Sequence, residues 1–362
     1  MMRTRFTLYV LMLATMCVAG CKDAPVQETD LDPLVKMALY DTTSSYYTDF
    51  STYPRNIADL PIGIFDLHAH GSGTLERTVL LDRFDNITGG EKPDRIRDFA
   101  GEHIIYYTAL SDADSLYDDQ GRMDIHDAAI KNTLFLVGDK CAQGDKERAK
   151  IVIAAGNITR STGLDDIRAM LAASGSGVKA IGVVEEGVKG LLDALLELPV
   201  LNYSIGLIAD SLTIASGAYQ QTMQDILAER GIKSAIPLVS QSFEATDSLS
   251  TATLSTAFAT MLENHYSDGK PFPICAVICD ASLDDDFSDE DLAAAFQEVI
   301  NNYRSKRING NYPYRSVVSD KLIIVNPAEL AAMECYRVLR KDNNLALRIE
   351  DQQVLLYTDL PM

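Results

Sequence analysis

The sequence is poor in basic residues, in cysteine and in histidine. Lys and Arg number 32 against 52 Asp and Glu, a formal net charge of −20 at pH 7, and there are 6 Cys and 5 His in 362 residues. The shortage of positive charge argues against nucleic acid or an anionic membrane surface as a partner, because both repel such a chain. The small number of cysteines argues against a scaffold held together by disulfides.

The body of the chain also has no run of apolar residues long enough for a polytopic membrane protein. Hydrophobic residues make up 47% of the sequence and charged residues 23%. That composition can fill real cores, and it is not that of a disordered chain. The length fits one large or two medium domains. We therefore expect an acidic globular protein.

Residues 1–21 have the pattern of a targeting segment. Arg3 and Arg5 precede an almost unbroken apolar run over 6–18, which ends in Val-Ala-Gly before Cys21. Such a pattern is typical of a secretory signal, and the run is short for a membrane span. The ending resembles a bacterial lipobox, which implies a lipidated N-terminus at Cys21. We expect an extracytoplasmic protein anchored to a bacterial membrane, facing the periplasm or the cell surface. An uncleaved helix with a chance cysteine is the alternative.

The body alternates apolar runs of strand length with amphipathic stretches. Residues 22–57 have weak periodicity and predict a tether with one short helix. The predicted strands are Ile62–Phe65, His103–Tyr107, Ile151–Ala155, Val178–Val184, Ile205–Ala209, Ala235–Val239, Ile274–Cys279 and Lys321–Val325. The clearest predicted helices are Leu164–Ala173, Gly187–Glu197, Ser216–Arg230 and Asp289–Arg304.

This alternation predicts an α/β fold with two similar domains. Continuous apolar strands separated by helices are typical of βαβ units and of mainly parallel sheets flanked by helices. We expect a first domain over 58–200 and 320–362 and a second over 201–319. Ligands of such sheets bind at the carboxyl ends of the strands, so we expect a cleft between the domains there.

Several predicted strand ends resemble the cofactor-independent glutamate/aspartate racemase family. Ile62-Gly-Ile-Phe-Asp66 is similar to its opening strand, and Ile205–Ala209 with Thr213 and Ser216-Gly-Ala-Tyr219 is the most specific match. The resemblance covers roughly residues 58–362. It implies the two-domain fold of the family, an isomerase of the amino-acid racemase class, a small carboxylate or amino acid as ligand, and no cofactor. A homodimer is compatible with it.

The resemblance also implies the site residues. Asp66 and Cys279 fall on catalytic positions. The positions that match substrate-binding parts of the family are Tyr117, Asn157, Thr213, Ser216 and Asp280.

The chain departs from the family where the chemistry needs a thiol. Racemisation without a cofactor requires two acid/base groups on opposite faces of one carbon, and the family uses two thiols. The first thiol falls at Ala155 or Gly156. The second is Cys279, but Asp280 follows it, and a negative neighbour raises the pKa of a thiol. We therefore expect two-base racemisation to be lost and the cleft to bind its ligand without it.

Two other functions remain open. One is an active one-thiol isomerase or decarboxylase, or a residual racemase, that uses Cys279. The other is a metal-dependent hydrolase, because Asp66-Leu-His68-Ala-His70 places two imidazoles on one side of an extended segment, where they can bind a divalent ion.

Cys275 is predicted to be a buried core thiol, as a free cysteine usually is. Cys275 and Cys279 lie four residues apart on a predicted strand, so alternation places them on the same face. Whether Cys141 and Cys335 form a disulfide cannot be decided from sequence spacing.

Overall fold

The computed structural model describes residues 28–67, 97–108, 121–141, 144–196, 202–233, 235–243, 250–269, 272–281, 289–347 and 353–358. In this part of the chain no helix is long and apolar enough to cross a membrane. The strands are β1 Ile62–Asp66, β2 Ile104–Thr108, β3 Lys140–Cys141, β4 Gly144–Asp145, β5 Ile151–Ala154, β6 Lys179–Gly182, β7 Ser204–Ala209, β8 Leu238–Ser242, β9 Ile274–Cys279, β10 Val318–Val325 and β11 Val354–Thr358. The helices are α1 Pro33–Tyr40, α2 Gly121–Val137, α3 Leu164–Ser174, α4 Val183–Leu196, α5 Ser211–Ser216, α6 Ala218–Glu229, α7 Thr251–Ser267, α8 Asp289–Ser305 and α9 Pro327–Lys341.

Two parallel sheets form the frame of the molecule, which confirms the predicted α/β class. The first sheet has the order β11-β2-β1-β5-β6 and the second has the order β10-β9-β7-β8. If the strands of each half are numbered along the chain, both halves have the order 2-1-3-4, and β11 adds an edge to the first sheet. The pair β3 and β4 forms a short antiparallel hairpin.

One helix that follows a strand of each half packs on the sheet of the other half. Helix α4 follows β6 of the first sheet, but its apolar side packs in the core of the second sheet. Helix α9 follows β10 of the second sheet and packs on the first. The two helices lie against each other, and a side chain at Gly187 or Gly190 of α4 would collide with Pro327 or Leu330. These glycines let the helices approach closely and join the halves.

The predicted strands are all present, and the differences are local. Val183 and Val184, predicted as the end of a strand, begin α4, because their side chains pack with the helix rather than extend the sheet. Strand β8 begins at Leu238, three residues after its predicted start at Ala235. Strand β10 spans the predicted domain boundary at residue 320 and pairs with β9 in the second sheet, whereas β11 pairs with β2 in the first. The domain bounds themselves stay a prediction.

Residues 28–57 are not a free tether. Leu34, Val35 and Ala38 of α1 are buried in the core beneath the first sheet, and Ile57 joins them. The buried hydroxyl of Tyr53 donates a hydrogen bond to the carbonyl of Ala149. Each buried aliphatic side chain contributes about 1.5–3 kcal/mol. The predicted short helix is present as α1, but its apolar side is buried against the body and the segment does not hang free.

A β-bulge places Cys275 and Cys279 on opposite faces of the second sheet. The register shifts there, since Ile274 pairs with Ser204 and Ala276 pairs with Ile205. Cys275 packs towards α4 and α6, and Cys279 packs towards α7 and α8. The expected shared face was wrong, because the extra residue reverses the alternation of the side chains.

Candidate functional site

The candidate site lies where the two sheets present the ends of their central strands. Asp66 ends β1 and Asn157 follows β5 in the first sheet; Asp210 follows β7 and Asp280 follows β9 in the second. In each sheet these two strands are neighbours, and the chain leaves them towards opposite edges. Such a switch point leaves a crevice outside the carboxyl ends of the strands, where α/β proteins bind ligands.

The end of the first sheet holds a buried carboxylate against the backbone. Asp66 is fully buried, and a Cβ on Gly156 would lie 2.7 Å from its Oδ1 atom. Gly156 also has φ of +73°, a conformation that favours glycine. The glycine therefore lets the loop after β5 turn closely over Asp66. Ala155, one of the two positions where the sequence resemblance requires a thiol, is buried in the core at this point.

The end of the second sheet holds a carboxyl group with a strongly shifted pKa. The hydroxyl of Tyr219, on α6, donates a hydrogen bond of 2.8 Å to Oδ2 of Asp280. Burial raises the pKa of Asp280 to about 6; the hydrogen bond from Tyr219 opposes this shift and the charge of Asp210 adds to it. Burial also raises the pKa of Tyr219 well above its usual value, so the phenol stays a donor.

A chain of hydrogen bonds joins the two sheet ends. Asn157 Nδ2 donates to Thr213 Oγ1 at 3.3 Å, and Thr213 Oγ1 donates to Asp210 Oδ2 at 2.7 Å. Asp210 is the N-cap of α5, and its Oδ1 accepts from the backbone of Thr213 at 2.9 Å. The cap therefore fixes Thr213 at the place where it meets Asn157 of the other half.

A cleft of about 380 Å³ opens beside this chain of hydrogen bonds. Its polar lining consists of hydroxyl and amide groups, and no cysteine, histidine or charged side chain is among the described residues that line it. The N-terminus of α6 also faces it, and a helix N-terminus attracts anions. The polar side chains are Asn157, Thr159, Ser161, Thr162, Ser216, Gln220, Gln221 and Gln224.

An ion cluster supports one wall of the cleft. Glu185, in the first turn of α4, is buried and forms ion pairs with Arg160, Arg168 and Lys189. Arg160 also pairs with Glu229 at the end of α6, so the cluster ties the first half to the second. Burial would raise the pKa of Glu185, but the hydrogen bonds and charges of these basic groups lower it to about 2.

The structure brings some of the predicted site residues together. Asn157 and Ser216 line the cleft, and Thr213 lies beneath it in the hydrogen-bond chain. Asp66 and Asp280 lie at the ends of β1 and β9.

Cys279 ends β9 directly before Asp280, and its charge is among the causes that raise the pKa of Tyr219. Its residue is 3% exposed and packs among apolar side chains under α7 and α8. The predicted residues Cys21, His68, His70 and Tyr117 lie outside the described residues. Cys141 and Cys335 are both free thiols. Within the described ranges, no group of three or more His, Cys, Asp and Glu side chains is arranged to hold a metal ion.

Three features of the site were missed from the sequence. Asp210 directly follows a predicted strand, a position that could have identified it. Tyr219 stands in the most specific motif, but its hydroxyl contact with Asp280 requires the two elements to meet. The hydroxyl-rich turn formed by Thr159, Ser161 and Thr162 had no signal, because these residues are also common in ordinary loops.

Comparison with solved structures finds matches to several racemases. Glutamate racemase from Francisella tularensis, in complex with D-glutamate, is 19% identical with a TM-score of 0.45, over 84% of this chain and 90% of that one. Glutamate racemase from Aquifex pyrophilus is 18% identical with a TM-score of 0.42, over 84% and 90%. An aspartate racemase homologue from Pyrococcus horikoshii is 13% identical with a TM-score of 0.38, over 78% and 99%.

No family model and no curated protein matches the sequence. Because the identities and TM-scores of the structural matches are low, they establish nothing about the ligand or the reaction of this chain.

Proposed function

We propose that the protein is a lipid-anchored receptor that binds a small amino acid or carboxylate in the cleft between its two halves, without two-thiol racemisation. The observation that carries this proposal is the neutral polar cleft at the switch points of both sheets. Each half contributes one partner of the hydrogen bond between Asn157 and Thr213, so the cleft depends on both.

The chemistry of the cleft suits a zwitterion. Hydroxyls, amides and the N-terminus of α6 can bind a carboxylate through neutral donors. Asp210, which is joined to Thr213 beneath the cleft, supplies a negative charge that favours an ammonium group nearby. A ligand that carries both groups matches both parts of the site.

Two residues argue against two-thiol chemistry. Ala155 has no acidic proton, and it is buried in the core. Cys279 is packed in an apolar cluster under two helices, where a thiolate would lack solvation. A base must come within hydrogen-bond reach of the proton that it removes.

The test uses the mature protein without its lipid. D- and L-glutamate and D- and L-aspartate are added in deuterium oxide, and NMR follows the α-proton while thermal melting follows binding. We expect a ligand to raise the melting temperature with no exchange of the α-proton. Inversion of the α-carbon, or the absence of any thermal shift, would overturn the proposal.

A pair of variants locates the binding. Asn157→Ala removes a cleft side chain and should abolish the thermal shift. Gln241→Ala changes a second depression, which is lined by residues of α5 and β8, and should leave the shift unchanged. If the ligand shifted the melting temperature of the two variants equally, it would bind elsewhere than in the cleft.

The pKa of Asp280 favours a second candidate, a one-base isomerase or decarboxylase. A carboxyl group with a pKa of about 6 can exchange protons near neutral pH. Exchange of the α-proton without inversion would support this candidate. Loss of that activity in Asp280→Asn would assign it to the carboxyl, whereas loss after alkylation of Cys279 would assign it to the thiol.

The metal-dependent hydrolase stays an alternative for His68 and His70. An activity that chelators remove and a divalent ion restores would favour it over both other functions.

A further inference from the structure

We propose that an exposed patch of tyrosines on the N-terminal helix lies against the lipid bilayer and orients the anchored protein. The tyrosine patch consists of Met37, Tyr40, Tyr46 and Tyr47. The inference rests on the proposed lipid anchor at Cys21, and it adds the face of the protein that meets the membrane.

The patch is concentrated in one short segment. Of the eleven large hydrophobic residues that are exposed in the described part of the chain, four lie between residues 37 and 47. Tyr40 is 50% exposed, the highest value in the patch. Single exposed apolar residues need no explanation, but a group of them on one surface indicates an interaction site.

Helix α1 presents the patch away from the core. Its buried residues Leu34, Val35 and Ala38 face the first sheet, whereas Pro33, Met37 and Tyr40 form an exposed row at helical spacing. The exposed row therefore faces outwards and is free to contact a surface.

The loop after α1 brings the other two tyrosines to the same region. The backbone N–H of Thr48 donates to the carbonyl of Ala38 at 3.0 Å, so the loop folds back on the helix. The ammonium group of Lys131, on α2, lies 5.3 Å from the centre of the Tyr46 ring. The patch is thus fixed on the folded body.

The position of the proposed lipid anchor indicates that the bilayer is the surface that the tyrosine patch contacts. Seven residue steps separate Cys21 from Glu28, so Glu28 can lie no more than about 25 Å from the lipid. Helix α1 has eight residues and is about 12 Å long. The patch is therefore within reach of the bilayer.

Tyrosine also has the right chemistry for the membrane–water interface, since its ring is apolar and its hydroxyl stays hydrated. The net charge of −20 opposes an anionic surface, so the expected surface is zwitterionic.

The absence of tryptophan makes the test direct, because a single introduced indole is the only one in the chain. The mature lipidated protein carries Tyr40→Trp and is bound to phosphatidylcholine vesicles with or without brominated lipid. The matched control is Tyr312→Trp, at a tyrosine of the second half that is 41% exposed. Flotation with the vesicles reports the anchor, and bromine quenching reports the contact.

We expect both variants to float and brominated lipid to lower the emission at residue 40 about twofold, with little change at residue 312. Flotation with equal or absent quenching at the two positions would overturn the orientation and leave the anchor intact. If the expressed protein is found to carry no lipid at Cys21 and does not float, the anchor and the orientation are overturned together. Circular dichroism confirms that each variant is folded.

Discussion

Glu185 is a buried carboxylate and Asp280 is a partly buried carboxyl group, and their pKa values shift in opposite directions. Burial disfavours the charged form of both. At Glu185 three basic side chains outweigh burial, and the pKa is lowered to about 2. At Asp280 the hydrogen-bonding partner is a neutral phenol and Asp210 adds a like charge, so burial prevails and the pKa rises to about 6.

The difference separates structural from chemical roles. The Glu185 carboxylate, which pairs with Arg160, Arg168 and Lys189, is ionised at any physiological pH. It helps to hold the two halves together. A carboxyl with a pKa near neutrality can take up or release a proton when a ligand binds. The direction of each pKa shift therefore follows the charge of the partner groups and not the depth of burial alone.

The pH dependence of stability has opposite signs at the two residues. The lowered pKa of Glu185 contributes stability above its unfolded pKa, and this contribution is lost as the pH falls from about 4.5 towards 2. The raised pKa of Asp280 means that the folded state binds the proton more tightly. Its contribution therefore declines as the pH rises from about 3.8 to 6.

The largest expected effect comes from Glu185→Gln. The change leaves three basic side chains around a buried neutral group, and we expect a loss of about 3 kcal/mol in the free energy of unfolding at pH 7. Urea unfolding measures it. The control is Glu229→Gln, which removes an exposed partner of Arg160 and should cost under about 1 kcal/mol. Equal losses of unfolding free energy in the two variants would mean that Glu185 does not hold the two halves together.

The next test concerns Asp66, the fully buried carboxyl group at the end of β1. Gly156→Ala adds a Cβ 2.7 Å from Asp66 Oδ1 at a residue with φ of +73°, and we expect a loss of about 2 kcal/mol. Gly175→Ala is the matched control, because Gly175 has φ of +66° and open space around its Cβ position. The Gly175→Ala variant should lose about 1 kcal/mol in the free energy of unfolding, which is the cost of the left-handed backbone conformation alone. Identical melting curves would show that Asp66 is not confined by this loop.

The sequence predicted the frame of the site better than its interior. Asp66 and Asp280 could be placed at strand ends because apolar strands have a clear length and parallel strands end at one edge. The hydrogen bond between Asp280 and Tyr219 could not be predicted from the sequence, since it joins a strand end to a helix residue 61 positions away.

The same limit applies to Cys279. Two-residue alternation gave a wrong relative orientation of Cys275 and Cys279, because a bulge has no reliable sequence signal. Strand β11 was also missed. Its five residues are an apolar run of strand length, and it lies at the sheet edge with Leu355 and Leu356 exposed.

Asp280→Asn tests the carboxyl group whose pKa is raised, in contrast to that of Glu185. Because ionised Asp280 is unfavourable in the folded state, we expect the variant to raise the free energy of unfolding by roughly 1–2 kcal/mol at pH 8 and to change it little at pH 4. Unfolding at both pH values measures this. Tyr219→Phe removes the hydrogen bond that lowers the pKa of Asp280, so its stability should fall more steeply with pH than that of the unchanged protein. Destabilisation of Asp280→Asn at pH 8 would contradict the raised pKa.

The smallest expected effect separates a paired hydroxyl from an unpaired one on neighbouring helices. Thr213→Val removes the hydrogen bonds to Asn157 and Asp210, and we expect a loss of roughly 0.5–1 kcal/mol in unfolding free energy. Thr222→Val is the matched control, because the buried hydroxyl of Thr222 has no hydrogen-bond partner among the described residues. Its replacement by a methyl group should be neutral or stabilising. If Thr213→Val were equally neutral, the link between the two sheet ends would contribute nothing to stability, and the cleft would be held by the Glu185 cluster and the α4–α9 contact alone.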